Sequence, residues 1–345
     1  METLTATGGT PSIHPQFQPN QDCLPMLPFQ NAVASDLSAV NDMILKELHS
    51  DVGLVENIGH YIVGAGGKRL RPILVLLTAK SLEYREQSHI ELATIIEFIH
   101  TATLLHDDVV DMSDLRRGRP TANSRFGNAP SVLVGDFLYS RAFQMLVRLG
   151  SMDIMAILSD TTNVISEGEV QQLINARNPS LTEADYLTVI HKKTAALFEA
   201  ACSTAAVLAG VGDEQKQAAW QFGHHLGLAF QLVDDLLDYE GDQATLGKNI
   251  GDDLAEGKPT LPLIHAMAHT QGAEQALIQE AITEGRLNHL QDILALVKRC
   301  GSLDYTRRKA EKHAAAAEEA LSVMPDNPGR QAMLELARFS VTRTF

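Results

Sequence analysis

Two stretches of this 345-residue chain place aspartates in one pattern, Asp107-Asp108-Val109-Val110-Asp111 and Asp234-Asp235-Leu236-Leu237-Asp238. On a helix, residues four apart are neighbours with Cβ atoms about 5–6 Å apart, so Asp107 and Asp111 offer oxygens on one face, as do Asp234 and Asp238. Both runs rise directly out of apolar sequence, LLHDD and FQLVDD. Carboxylates in such surroundings need a proton or a cation. At roughly one Asp in eighteen residues, one such pattern arises by chance in about one chain of this length in twenty, and two in fewer than about one in five hundred. The pair therefore reads as a site. Carboxylates without thiolates or paired histidines favour Mg²⁺, which keeps waters and accepts phosphate oxygens. The spacing and central glycine of an EF-hand are missing, which argues against calcium.

Basic residues gather near these motifs. GAGGKRLRP (64–72) sets Lys68, Arg69 and Arg71 behind a glycine run, and Arg116 and Arg117 follow the first motif. Lys193 stands beside Thr194 in HKKTAALFEAA, and Lys248 and Lys258 occupy a late glycine-rich segment. Arginine grips phosphate bidentately and lysine acts as a point charge, so an anionic, phosphate-bearing substrate is expected beside the metal. Glu97 and His100 form an ExxH, half of a di-iron carboxylate site on a helical bundle. No second ExxH accompanies it, and di-iron chemistry would leave the basic residues idle. His106, His224 and His225 are assigned to packing or surface.

The elements that must carry these residues are helical. AVNDMILKELHSDVGLVENIGHYIV has apolar residues at spacings of three and four and reads as one helix ended by GAGG. PILVLLTAKSL opens with Pro72 in a first turn. His89 to Asp111 is apolar on nearly every side, the signature of a central buried helix. Further helices are predicted over 130–149, 152–176, 182–209, 213–240 and 259–269, with others to the end. Loops are expected at 114–128 and 241–258, and no run alternates as a strand does. Residues 1–32, rich in Pro, Gln, Thr and Gly, read as a disordered tail. No linker divides 33–345, so one domain is expected there.

With 45% hydrophobic and 21% charged residues, the balance is that of a globular protein, and a net charge of −15 argues against nucleic-acid binding. Cys23, Cys202 and Cys300 are odd in number and widely spaced, matching neither a disulfide framework nor a zinc pattern. No apolar run approaches the ~18 residues of a membrane span. The first basic residue is Lys46, which leaves no basic signal-peptide start. The chain reads as cytoplasmic.

In order, GGKRLRP, LLHDDVVDMSDLRRGRPTAN, GNAPSVLVGDFLYSRAF, EGEVQQL, KTAALFEAA, FQLVDDLLDY and GKNIGDDLAEGKPTLPL closely resemble the trans-isoprenyl diphosphate synthases of the polyprenyl synthetase family, over about residues 35–345. The wording is closest to bacterial octaprenyl and nonaprenyl synthases, which make quinone side chains. The resemblance implies an all-α, single-domain helical bundle of the isoprenoid synthase type around a central cavity. It implies a homodimer, isopentenyl diphosphate and an allylic diphosphate as substrates, Mg²⁺ as cofactor, and a product directed to membranes. Asp107, Asp108, Asp111, Asp234, Asp235 and Asp238 would hold the metal. Arg116, Lys193 and Lys248 would add positive charge on the leaving diphosphate, while Lys68, Arg71, His100 and Arg117 would hold isopentenyl diphosphate. Thr194 and Gln231 would set oxygens near the allylic cation.

Product length would depend on how far the tail runs beside the first motif's helix. Short-chain relatives carry aromatic plugs where Ala102 and Thr103 stand, so small residues there imply a long product, with Leu146 and Leu158 as candidate floor residues. A shorter-chain farnesyl or geranylgeranyl synthase, a terpene cyclase and a non-catalytic subunit are the alternatives. A cyclase has no need of GGKRLRP, and a non-catalytic subunit commonly loses one acidic motif; both are intact here.

Overall fold

The computed structural model describes residues 27–64, 66–116, 118–240 and 251–343. Helices follow one another almost without interruption: α1 (Pro28–Asn31), α2 (Ala34–Glu47), α3 (Gly53–Gly64), α4 (Leu70–Ser81) and α5 (Ser88–Val110). A two-stranded ladder, β1 (Leu115–Arg116) with β2 (Arg119–Pro120), precedes α6 (Ala122–Phe126), α7 (Asn128–Leu149), α8 (Met152–Asn175) and α9 (Glu183–Ile190). A π-helical turn, His191–Ala195, joins α9 to α10 (Ala196–Leu208), and α11 (Asp213–Glu240) follows. Later helices include Leu261–Ala268, Ser302–Ala320 and Pro328–Thr342. The all-α expectation holds.

α5 is the central helix that its sequence demands. Leu92, Ile95, Ile96, Phe98, Ile99, Ala102 and Leu105 are all buried, because no face of the helix is polar enough to meet water until the aspartates begin. It packs against α7 and α4; α4 packs on α10, and α10 on α8 and α11. The layers thus bring the C-terminal turns of α5 and α11, which carry the two acidic motifs, into one bundle.

Four expectations need correction. The single helix expected over 39–63 is broken, since the Glu56 carboxylate accepts from Ser50 N at 3.0 Å and contacts the His49 ring nitrogen at 2.7 Å. Those bonds favour a turn over continued helix. The tail expected through residue 32 ends sooner: Phe29 is buried, with its ring centroid 5.4 Å from that of Phe339. Residues 1–26 of that tail lie outside the described residues. The loop expected at 114–128 contains the β1–β2 ladder and α6, whose N-cap hydroxyl, on Thr121, accepts from Ser124 N. Of the loop expected at 241–258, residues 241–250 lie outside the described residues, and Asp252–Ala255 forms a helical turn.

Candidate active site

The first acidic motif occupies the last turn of α5. A helix C-terminus carries negative partial charge, so carboxylates placed there need cations nearby. Each aspartate has found one. Lys193 Nζ lies 3.6 Å from Asp107 Oδ2, and Lys258 Nζ lies 3.0 Å from Asp111 Oδ2. Asp108, 1% exposed, is gripped by Arg116, whose Nε and Nη2 both donate to Oδ1, at 2.9 and 2.7 Å. Its Oδ2 is buried with no hydrogen-bond partner. Asn123 ties the following loop back by donating to the carbonyls of Asp108 and Ser113. Burial pushes the Asp107 carboxyl above its usual range; Asp111 adds to the push and Lys193 opposes it. Burial of Lys258 favours the neutral amine, but Asp111 and Glu256 outweigh it and hold its pKa above that of an ordinary lysine.

Lys193 and Thr194 sit in the π-helical turn. Such a turn holds one residue more than a regular one, and it re-aims the side chains that it carries. Gly168 of α8 permits it: a Cβ there would come within 2.7 Å of Lys192 Cβ and 2.9 Å of Lys193 N. Lys193 Nζ donates to Glu169 Oε2 at 2.7 Å and to Gln172 Oε1 at 2.9 Å, on the Asp107 side. Thr194, the next residue, turns to α11 and donates to Gln231 Oε1 at 2.8 Å.

Gln231 continues the chain of contacts, its Nε2 donating to Asp235 Oδ1 at 2.7 Å. Tyr186 donates its hydroxyl to the other oxygen, Oδ2, at 2.5 Å. Asp235 is 3% exposed. Burial, and then nearby Asp253, push its carboxyl up to about 8, against the pull of the two hydrogen bonds. Asp234 is different: 44% exposed, it receives Arg343 Nη2 at 2.6 Å. That guanidinium lies over the Phe230 ring at 3.9 Å and also donates to Phe230 O. Gly251 N donates to the Asp238 carbonyl, returning the chain to α11.

Two bridges therefore join the motifs. Lys193–Thr194 spans from Asp107 to Gln231 and Asp235. The segment 253–258 spans from Asp253, whose charge reaches Asp235, to Lys258 on Asp111. The outer carboxylates of the two motifs, at two helix C-termini and faced by lysines and an arginine, make a donor set suited to a hard divalent cation.

Among the remaining expected residues, Arg71 and His100 meet, with Nη1 and Nε2 3.0 Å apart, and the Arg71 guanidinium lies over the Phe198 ring at 4.7 Å. Lys68 Nζ lies 5.8 Å from the centroid of the Phe339 ring. Arg69 adopts a left-handed backbone and bonds Glu97 and Val63 O. That pairing occupies Glu97 and removes the di-iron reading. Ala102, Leu146 and Leu158 are buried, while Thr103, half-buried, donates to His100 O. Arg117 and Lys248 lie outside the described residues.

Contributors that the sequence does not single out include Glu169, Gln172, Tyr186 and Arg343. Glu169 and Gln172 carried a usable signal, because i,i+3 spacing sets both on one helix face. Tyr186 and Arg343 reach the second motif across 49 and 109 residues, which no local pattern announces.

A polyprenyl synthetase family model matches residues 52–299. The chain is 52% identical over 311 residues to octaprenyl diphosphate synthase of Escherichia coli, covering 90% of this chain and 96% of that one. It is 48% identical over 312 residues to the all-trans-nonaprenyl-diphosphate synthase (geranyl-diphosphate specific) of Rhodobacter capsulatus, covering 90% and 96%. A polyprenyl synthase from Caulobacter crescentus, solved with calcium and isoprenyl diphosphate, superposes with a TM-score of 0.89 at 43% identity, over 92% of this chain and 98% of that one.

Proposed function

The chain belongs to the polyprenyl synthetase family, and we propose that the two bridged aspartate motifs are its reaction centre. It is a prenyltransferase with the all-α isoprenoid synthase fold, a long-chain all-trans-polyprenyl diphosphate synthase that uses divalent metal. Its substrates are isopentenyl diphosphate and an allylic diphosphate. The product is octaprenyl or nonaprenyl diphosphate, serving as a quinone side chain and delivered to membranes. The metal is Mg²⁺.

Asp107, Asp111, Asp234 and Asp238 hold the metal. Asp108 and Asp235, both expected as ligands, act by position: Asp108 fixes Arg116, and Asp235 fixes Gln231. When bound, Mg²⁺ neutralises charge on the departing diphosphate as the allylic C–O bond breaks. Lys193 and Arg116, with Lys248, add fixed positive charge there, and Lys258 steadies Asp111. Gln231 Oε1, oriented by the hydrogen bond it accepts from Thr194 and by the one that Nε2 donates to Asp235, faces the electron-poor allyl group. Arg71 and His100, with Lys68 and Arg117, hold the isopentenyl diphosphate. Its double bond attacks the allylic carbon, and a proton leaves to the released diphosphate.

The observation that supports this reading is the pair Lys193–Thr194: consecutive residues that address opposite acidic motifs. The test is incubation with labelled isopentenyl diphosphate, farnesyl diphosphate and Mg²⁺, followed by mass measurement. Octaprenyl or nonaprenyl product is expected; arrest at farnesyl or geranylgeranyl length would favour the shorter-chain reading.

The working form is a cytoplasmic homodimer of one catalytic domain, which takes in α1 as well as residues 33–345. Exposed apolar residues on α7 and α8, among them Leu133, Val147, Val170, Leu173 and Ile174, support a covered face. Light scattering giving a monomer mass would overturn the dimer. Among the described residues, no helix is long and apolar enough to cross a membrane.

A further inference from the structure

Behind the π-helical turn, on the side away from Lys193, three further side chains converge. His191 opens the turn, Glu199 lies on α10 and His224 on α11. His191 Nε2 lies 2.8 Å from Glu199 Oε1, and His224 Nδ1 lies 2.7 Å from the same oxygen. The three ligand atoms all fall within 4.8 Å of one another. The backbone holds them close: a Cβ on Gly223, beside His224, would meet Phe198 O at 2.5 Å and Glu199 Cα at 2.8 Å. Only glycine lets α11 approach α10 so nearly at this point. The three residues are partly buried, with His191 the most open at 36%.

We propose that His191, Glu199 and His224 form a binding site for a transition-metal cation of the Zn²⁺ class, with a fourth position open to solvent. Two imidazoles and one carboxylate are the donors that borderline-soft cations prefer, and Mg²⁺ does not. A tetrahedral Zn²⁺ with bonds near 2.0–2.1 Å sets its ligand atoms about 3.3–3.5 Å apart. The two contacts to Glu199 must open by about half an ångström and the two imidazoles draw together, which rotamer adjustment supplies. The metal replaces the shared protons that now join each imidazole to Glu199. Those hydrogen bonds hold Glu199 well below the usual range, at about 2 despite its burial, so a carboxylate is ready for the metal. Lys192, which lies beside His191 and pairs with Glu167 at 3.2 Å, is an opposing cation. Because His191 begins the turn that carries Lys193 and Thr194, the bound ion fastens that turn to α10 and α11.

The chain contains its own reporter. Trp220, the single tryptophan, stacks on His224 with ring centroids 5.1 Å apart. Full-length protein stripped with a chelator is titrated with Co²⁺ in saturating Mg²⁺, following tryptophan emission and visible d–d absorption. One Co²⁺ per chain should quench Trp220, Zn²⁺ should compete for the same site, and Mg²⁺ alone should leave emission unchanged. His191→Gln and His224→Gln should each weaken Co²⁺ binding at least ~10-fold, with the far-ultraviolet circular dichroism of the unmodified chain. Absence of quenching in the unmodified chain, or quenching that persists in His191→Gln, overturns the proposal.

Discussion

The two acidic motifs share a spacing and a place at the end of a helix, yet they satisfy their middle aspartates by opposite means. Asp108 is buried against a guanidinium, which donates two hydrogen bonds to one of its oxygens. Asp235 is buried against a phenol and an amide, both neutral, and its carboxyl is pushed up to about 8. The outer residues differ too. Lysines from distant segments face Asp107 and Asp111, whereas an arginine near the chain's end faces Asp234. Identical sequence patterns thus specify a place for a cation; the surrounding elements decide which oxygens remain to take it.

The comparison can be broken most forcefully at the outer residues. Asp107→Ala and Asp234→Ala should each lower turnover by several powers of ten, since metal charge stabilisation is worth several kcal/mol. Incorporation of labelled isopentenyl diphosphate measures both, and a near-normal Asp234→Ala rate would show that the motifs are not equal partners. Excess EDTA should reduce the unmodified enzyme to background, with recovery on added Mg²⁺; activity persisting in EDTA would remove metal from both motifs.

The middle aspartates sharpen the contrast through stability of the metal-free protein, read by urea unfolding. Asp108→Asn leaves Arg116 facing a neutral group and should cost roughly 2–3 kcal/mol. Asp235→Asn should cost little at neutral pH. Its folded pKa of about 8 stands above the ordinary 3.8, so its contribution is complete below about pH 4 and is lost as pH rises towards 8. The amide has no proton to lose, so the substitution should flatten that slope; an unchanged slope would contradict the assignment. The smallest effect is one of length: Ala102→Phe, upstream of the first motif alone, should shorten the product by mass, and an unchanged product would count against an open tunnel along α5.

Much of this was legible because it is local. Asp107, Asp111, Asp234 and Asp238 announce themselves by i,i+4 spacing, and α5 by an apolar run too complete for a surface helix. Arg71 and His100 were named together and lie together. What stayed hidden depends on pairing across the chain. Nothing near Asp108 says that Arg116 will take its oxygen rather than a substrate's, and nothing near Asp235 announces Tyr186. The break between α2 and α3 was missed because an apolar period survives a turn that side-chain hydrogen bonds impose. The π-helical turn was read as part of one helix over 182–209, since surplus winding leaves no mark on composition.

That surplus residue has a practical corollary. A regular helix rotates about 100° per residue, so deleting any one position between His191 and Ala195 would rewind the segment and swing Lys193 away from Asp107 while Thr194 lost Gln231. Engineers varying this enzyme could exchange Lys192, which pairs with Glu167 at the surface, with modest penalty, but should leave the length of the segment alone.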